Sequence, residues 1–296
     1  MISQYINTKA VIDIGATYIR FGKGEENGTF LLKKKVKTEK RSVRNFLEQL
    51  KKICEFLGSK EICIASVGPL RNGCIVNSPN LFPKKKIRIK HYLKKFSFKI
   101  KLVNDCNAGV LAEKFYGKGK NYENLVFISF GSGIGCGAII NNKLILGKDG
   151  NACEAGHMVI DKDFTLRCHC GGYGHWEAYC GGDSLPRFFK IWSKKKKKFE
   201  AKEIFDSAKN GRKPFIDFIK IIGKFNAIGI ANLVNLFDPE ILIIGGSLAL
   251  KNKWFFKKFV FPEIKKYSIN RLPIISFTKL GEWICLKGAL AYSFKF

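Results

Sequence analysis

Cys168 and Cys170 stand one residue apart in a stretch that also holds His157, His169 and His175, three of the four histidines in the chain. Two thiolates and two imidazoles form a soft donor set that suits a closed, tetrahedral Zn²⁺ site, and the two thiolates balance the charge of the ion. His157, Cys168, Cys170 and His175 are the candidate ligands, with His169 as a competitor between the cysteines. The other eight cysteines lack ligand-like spacing and read as small buried apolar residues. Glu154 and Glu177 flank the cluster and are either surface acids or part of a site built around it.

Three glycine turns each follow an apolar run: Asp13-Ile14-Gly15-Ala16-Thr17, Gly131-Ser132-Gly133 and Gly245-Gly246-Ser247. Glycine lets backbone N–H groups approach phosphate oxygens, and Ser or Thr adds a hydroxyl donor. The chain has no GxxxxGK[ST] phosphate loop. Gly131-x-Gly133-x-Gly135 lies between two strands, not before a helix as a dinucleotide fingerprint would. Three such turns predict a nucleotide held in a cleft between two domains. Asp105 stands where a strand gives way to a helix. It either caps that helix or takes a proton from a substrate hydroxyl.

The elements that must carry these residues are legible in outline. Ala10–Gly15 and Tyr18–Gly22 predict a hairpin, with a third strand over Thr29–Lys37. Ser42 and Gly58 bracket a helix as N-cap and stop. Glu61–Val67 and Lys101–Val103 read as strands, and Asn107–Phe115 as a helix. The pattern then restarts with strands at Leu125–Phe130 and Gly135–Ile140, a turn at Asn141-Asn142 and a short strand at Lys143–Leu146. Helical sequence follows at Phe215–Phe237, and a buried strand at Glu240–Ile244. The order strand–strand–strand–helix–strand–helix, given twice, predicts a duplicated α/β fold with a mixed sheet in each half.

Composition narrows the function classes. The 296 residues suit one large domain or two closely packed ones. No run approaches 18 consecutive apolar residues, and Met1–Lys9 lacks the pattern of a signal peptide, so a cytoplasmic protein with no membrane partner is expected. The net charge is +29. The lysines are scattered, with separate runs at Lys33–Lys35, Lys84–Lys86 and Lys194–Lys198 that read as solvated loops or helix faces. A specific nucleic-acid partner is therefore not expected, although the positive field would draw in nucleotide phosphates.

Taken together, the motifs resemble the ROK family (repressors, open reading frames, kinases). Asp13–Thr17 is similar to the first phosphate motif of actin-like ATPases and sugar kinases, and Asn104-Asp105-Cys106-Asn107-Ala108 and Gly131–Gly135 resemble further family motifs. Glu154–Met158 and Cys168–Glu177 resemble the family signature, and Asn235–Glu240 with Gly245-Gly246 also matches. The resemblance covers nearly the whole chain and, through GYGHWEAY, points to archaeal-type glucokinases. It implies an actin-like ATPase (ribonuclease H-like) duplicated fold. One domain would span 1–105 plus about 281–296 and the other 106–280.

It also implies ATP-dependent phosphorylation of a hexose, glucose first, at its 6-hydroxyl. The alternatives are a fructose, N-acetylhexosamine or polyphosphate-dependent kinase, or a sugar-responsive transcriptional regulator. By resemblance, Asp105 is the general base and Asn104, Glu154, His157 and Glu177 bind sugar hydroxyls, with Gly68 and Asn80 lining the same pocket. Asp13, Gly15, Thr17, Gly131, Ser132, Gly133, Gly245 and Gly246 would hold ATP and Mg²⁺. Zinc would be structural and would orient the His157 ring. The family more often has a third cysteine where this chain has His175. A homodimer is the implied assembly.

Overall fold

The computed structural model describes residues 7–78, 81–163 and 165–296. The chain forms two compact units. The first comprises the described residues of Met1–Asn121 with Leu144–Ala152 and Lys279–Phe296; the second comprises Tyr122–Lys143 and Cys153–Thr278.

In the first unit, β1 (Thr8–Ile14), β2 (Tyr18–Glu25), β3 (Phe30–Lys37), β4 (Glu61–Ser66) and β8 (Lys99–Asn104) form a sheet in the order β3-β2-β1-β4-β8. The β1–β2 and β2–β3 pairs are antiparallel, and β1–β4 and β4–β8 are parallel. Central strands covered on both faces read as continuous apolar runs, and β1 and β4 do so. Alternation then sorts their residues. Ile12, Ile14, Ile62 and Ile64 pack with Phe46, Leu50 and Ile53 of α1 (Val43–Leu57). Val11, Cys63 and Ala65 face Ala108 of α3 (Asp105–Tyr116) and Leu286 and Ala289 of the C-terminal helix Ile284–Lys295.

Those last two helices touch so closely that a Cβ on Gly288 would lie 1.7 Å from the Ala108 carbonyl oxygen, so only glycine fits there. Ser42 caps α1 by accepting from the Asn45 N–H at 3.0 Å, and Gly58 ends it in the left-handed conformation (φ 57°). A small antiparallel sheet of β5 (Leu70–Arg71), β6 (Cys74–Ser78) and β7 (Phe82–Ile87), followed by α2 (Ile89–Lys94), completes this unit.

The second unit repeats the plan. β9 (Leu125–Phe130), β10 (Ile134–Ile140), β11 (Lys143–Leu144), β12 (Ile241–Gly245) and β13 (Ile274–Phe277) run in the order β11-β10-β9-β12-β13. Antiparallel β9–β10 pairing and parallel β9–β12–β13 pairing match the first sheet. Asn141 (φ 50°) and Asn142 (φ 59°) turn β10 into β11, as left-handed residues do in a two-residue hairpin.

Between β11 and β12 come α4 (Trp176–Cys180), α5 (Leu185–Ser193), α6 (Ala201–Lys209) and α7 (Phe215–Phe237). After β12 come α8 (Ser247–Lys251) and a helical run over residues 253–264. By length and composition alone α7 could cross a membrane. In the fold it is a core helix, with Phe218, Ile222, Ile230 and Leu233 buried.

The lysine runs need one correction. Lys33–Lys35 and Lys84–Lys86 lie on strands β3 and β7, not on loops or helix faces. Both strands are edges of their sheets, where exposed lysines oppose pairing with a further strand.

Candidate active site and metal centre

Parallel pairing brings the carboxyl ends of β1, β4 and β8 into line: Asp13 pairs with Ala65, and Ser66 with Asn104. Open α/β sheets place ligands beyond this edge. Here it presents the Gly15–Thr17 turn, Gly68 and the Asn104-Asp105 step. The Gly15 N–H donates to the Tyr18 carbonyl at 3.0 Å and closes the hairpin, which leaves Ala16 and Thr17 at its tip. Gly68 adopts φ 84°, and a Cβ there would meet the Ser78 side chain at 2.9 Å. The helix-capping role goes to Asn104, whose side chain accepts from the Cys106 N–H (2.8 Å) and the Asn107 N–H (3.3 Å). Asp105 occupies the first position of α3. Asn80 lies outside the described residues.

Asp13 is buried, and burial pushes its carboxyl from an ordinary 3.8 up to about 7. Arg20, 3.4 Å away, opposes this, while the charge of Asp105 adds to it. Arg20 also binds Glu282 at 2.9 Å, and Lys35 binds the same carboxylate at 2.7 Å. Sequence reasoning missed Arg20. The signal was the hairpin register, since a two-stranded turn that pairs Ile14 with Ile19 pairs Asp13 with Arg20.

A pH dependence follows. A carboxyl with a raised native pKa contributes stability that is complete below 3.8 and is lost as pH rises through about 7. Full ionisation corresponds to a ceiling of about 4 kcal/mol. The Asp13→Asn variant is therefore expected to gain on the parent in urea stability as pH rises from 4 to 8. A difference that stays flat over that range would contradict the burial of this charge.

In the second unit, the Gly131–Gly133 turn joins β9 to β10 just as the Gly15–Thr17 turn joins β1 to β2. The carbonyls of Gly131 and Ser132 accept from the Gly182 and Asp183 N–H groups at 3.0 and 2.9 Å. Gly245 lies beside Ser129 in the β12–β9 register, so the third turn shares this sheet edge. A Cβ on Gly246 (φ 85°) would meet the Phe130 backbone at 2.1 Å. Glu177, in the first turn of α4, accepts the Ile134 N–H at 2.8 Å, and a Cβ on Gly133 would lie 2.1 Å from its carboxylate. Burial raises the pKa of Glu154; His157 lowers it and Glu177 raises it further.

His157 ends a single 3₁₀ turn, Ala155–His157, pressed against β10 at Gly156, where a Cβ would meet the Ile134 carbonyl oxygen at 2.2 Å. One nitrogen of its ring faces Glu154, with Nε2 3.7 Å from Glu154 Oε2. The other nitrogen, Nδ1, lies 3.9 Å from Cys168 Sγ. A turn closed by the Cys168 N–H donating to the Gly172 carbonyl (2.7 Å) returns Cys170 to His175, with Sγ and Nδ1 3.2 Å apart. Ligand atoms of His157, Cys168, Cys170 and His175 all lie within 4.8 Å of one another. A tetrahedral zinc site has ligand–ligand edges of about 3.3–3.8 Å. The four residues fit such an ion after side-chain movements of about 1 Å or less, and His169 is exposed outside the group.

The sequence profile of the ROK family matches residues 9–292. The chain belongs to the ROK family. A glucokinase of Pyrobaculum calidifontis is 36% identical over 243 residues, covering 81% of this chain and 79% of that protein. A glucokinase of Aeropyrum pernix is 29% identical with 96% of each chain covered. Among solved structures, the ROK hexokinase of Thermus thermophilus superposes with a TM-score of 0.86 at 25% identity, over 96% of this chain and 97% of that one. The duplicated actin-like ATPase fold expected from the motifs is the fold of this ROK protein.

Proposed function

We propose that this ROK protein is an ATP-dependent hexose kinase that transfers the γ-phosphoryl group to a sugar 6-hydroxyl, with glucose as the preferred acceptor. The observation that carries the reading is the division of labour at the β8–α3 junction. Asn104 caps the helix through the Cys106 and Asn107 N–H groups, and Asp105, which shares the Cys106 N–H, stands at the first helical position beside the buried Asp13. In this role Asp105 accepts the hydroxyl proton as the phosphoryl group moves.

By the family resemblance, Glu154, His157, Glu177 and Asn104 would accept from or donate to ring hydroxyls, and Gly68 and Asn80 are the further sugar-binding residues it implies. A site built on such bonds rejects sugars that lack the matching groups. The Gly15–Thr17, Gly131–Gly133 and Gly245-Gly246 turns hold the nucleotide. Mg²⁺ bound with ATP would neutralise phosphate charge. Asp13 suits it, because a buried carboxyl with a raised pKa gains from a nearby cation. Zn²⁺ would be structural, held by His157, Cys168, Cys170 and His175, and would fix the His157 imidazole through Nδ1 while Nε2 stays with the sugar. A cytoplasmic homodimer completes the reading, on the strength of the family resemblance.

A coupled assay of ADP release tests it, run over glucose, fructose and N-acetylglucosamine, with polyphosphate as the rival donor. Glucose with Mg-ATP is expected to give the highest kcat/KM. ADP release that does not depend on sugar would overturn the proposal, and faster turnover with polyphosphate would reassign the donor.

A further inference from the structure

Beside β8 the first unit holds a cavity of about 160 Å³. Arg71, Lys90, Asn104, Asn107, Asp149 and Tyr292 are among its lining. Of the described residues proposed for sugar, nucleotide or metal, Asn104 alone is shared with it. Its walls are fixed by local chemistry. β5 turns into β6 through Asn72 (φ 49°) and Gly73 (φ 74°), the Asn-Gly pair that a two-residue hairpin favours. The Lys90 stem lies across that turn, where a Cβ on Gly73 would meet its Cδ at 2.7 Å. The Asn151 side chain accepts from the Leu70 N–H and donates to the Leu70 carbonyl, both at 2.7 Å, which ties the segment after β11 to β5. Arg71 and Asp149 meet across the same join at 3.9 Å.

Asn107, in the first turn of α3, is 2% exposed, and its Oδ1 has no hydrogen-bond partner among the described residues. A buried acceptor left unpaired costs stability. One water would pair with it and needs only about 10–15 Å³, whereas the cavity is about ten times that size. Sites for drug-sized ligands run to about 300–1,000 Å³, so the occupant is smaller than a nucleotide. Charge narrows it further. Two cations, Arg71 and Lys90, stand against one carboxylate, Asp149, so the lining is net positive. Arg71 is held to Asp149 only loosely, and no carboxylate among the described residues pairs with Lys90.

We propose that this cavity is a binding site for a small hydroxylated anion, whose charged group meets Lys90 and Arg71 and whose hydroxyl donates to Asn107 Oδ1. A phosphate and a carboxylate supply the same charge, so glycerol 3-phosphate and glycerate are the probes. The site stands on the cavity and its lining, not on the kinase reading.

The test is calorimetric titration of the full-length, zinc-loaded protein with each probe, with glucose and a non-hydrolysable Mg-ATP analogue present to occupy other anion sites. At least one probe is expected to bind with a Kd below about 1 mM. Acetate and glycerol, each lacking one of the two groups, should bind at least about 10-fold more weakly. Lys90→Met and Asn107→Leu are each expected to raise the probe Kd about 10-fold or more. Lys90 is exposed on α2, so its substitution keeps the test open even if Asn107→Leu does not fold. No saturable binding in the millimolar range, equal binding of acetate or glycerol, or a Kd unchanged in Lys90→Met would overturn the site. Sugar phosphorylation is assayed separately, so failure of either result leaves the other standing.

Discussion

Asp105→Asn is expected to lower kcat for hexose phosphorylation about 10²- to 10⁴-fold, the range a positioned general base contributes, while glucose still binds. The substitution is nearly isosteric and should spare the fold. The cap of α3 belongs to Asn104, and the bond that Asp105 accepts from the Cys106 N–H at 2.9 Å remains available to an amide oxygen. What changes is basicity, because an amide cannot take the hydroxyl proton. The loss should fall on kcat with little change in glucose Kd, and Asp105→Ala should behave likewise. Removing this negative charge should also lower the pKa of Asp13, which Asp105 helps to raise. Steady-state kinetics with calorimetric glucose titration separates the two effects. Near-normal turnover would rule out Asp105 as the base.

The second large effect is expected at the metal centre. Protein purified without chelator should carry about one zinc per chain, and Cys168→Ser should lose most of it, since a serine hydroxyl is a poor replacement for a thiolate. Without the ion, His157 Nδ1 would lose the ligand bond that holds the ring toward Glu154, and the 3.9 Å contact with Cys168 Sγ is a weaker restraint. Loss of such an orienting partner typically costs 10- to 100-fold. The expected outcome is a glucose KM raised by about that factor and a smaller change in kcat. Elemental analysis beside kinetics checks both. A zinc-free parent enzyme with full activity would remove the metal from the account.

What could be read in the sequence followed from local chemistry. Ser42 and Gly58 announce the ends of α1 because a hydroxyl and a Cβ-free residue satisfy helix ends in known ways. The three glycine turns fall at strand ends because an apolar run that meets glycine has little else to do. The His157, Cys168, Cys170 and His175 group was legible because few other arrangements use those residue types at that spacing.

What escaped depends on contacts distant in sequence or on patterns that mislead. The β5–β7 sheet was missed because Lys84–Lys86 masks any alternation, and its residues between Phe82 and Ile87 are all exposed. Helices α5 and α6 interrupt the second half where a simple repeat was expected. Asp105 was ambiguous from sequence because either Asn104 or Asp105 could cap α3; both accept the Cys106 N–H, and the further bond from the Asn107 N–H marks Asn104 as the cap.

The central claim is phosphoryl transfer from ATP to a hexose oxygen, and ³¹P NMR of the product tests it most directly. With Mg-ATP and glucose, the account predicts loss of the ATP γ resonance and growth of one phosphomonoester at the glucose 6-oxygen, matched by ADP. Inorganic phosphate as the only new species, with glucose recovered intact, would contradict it.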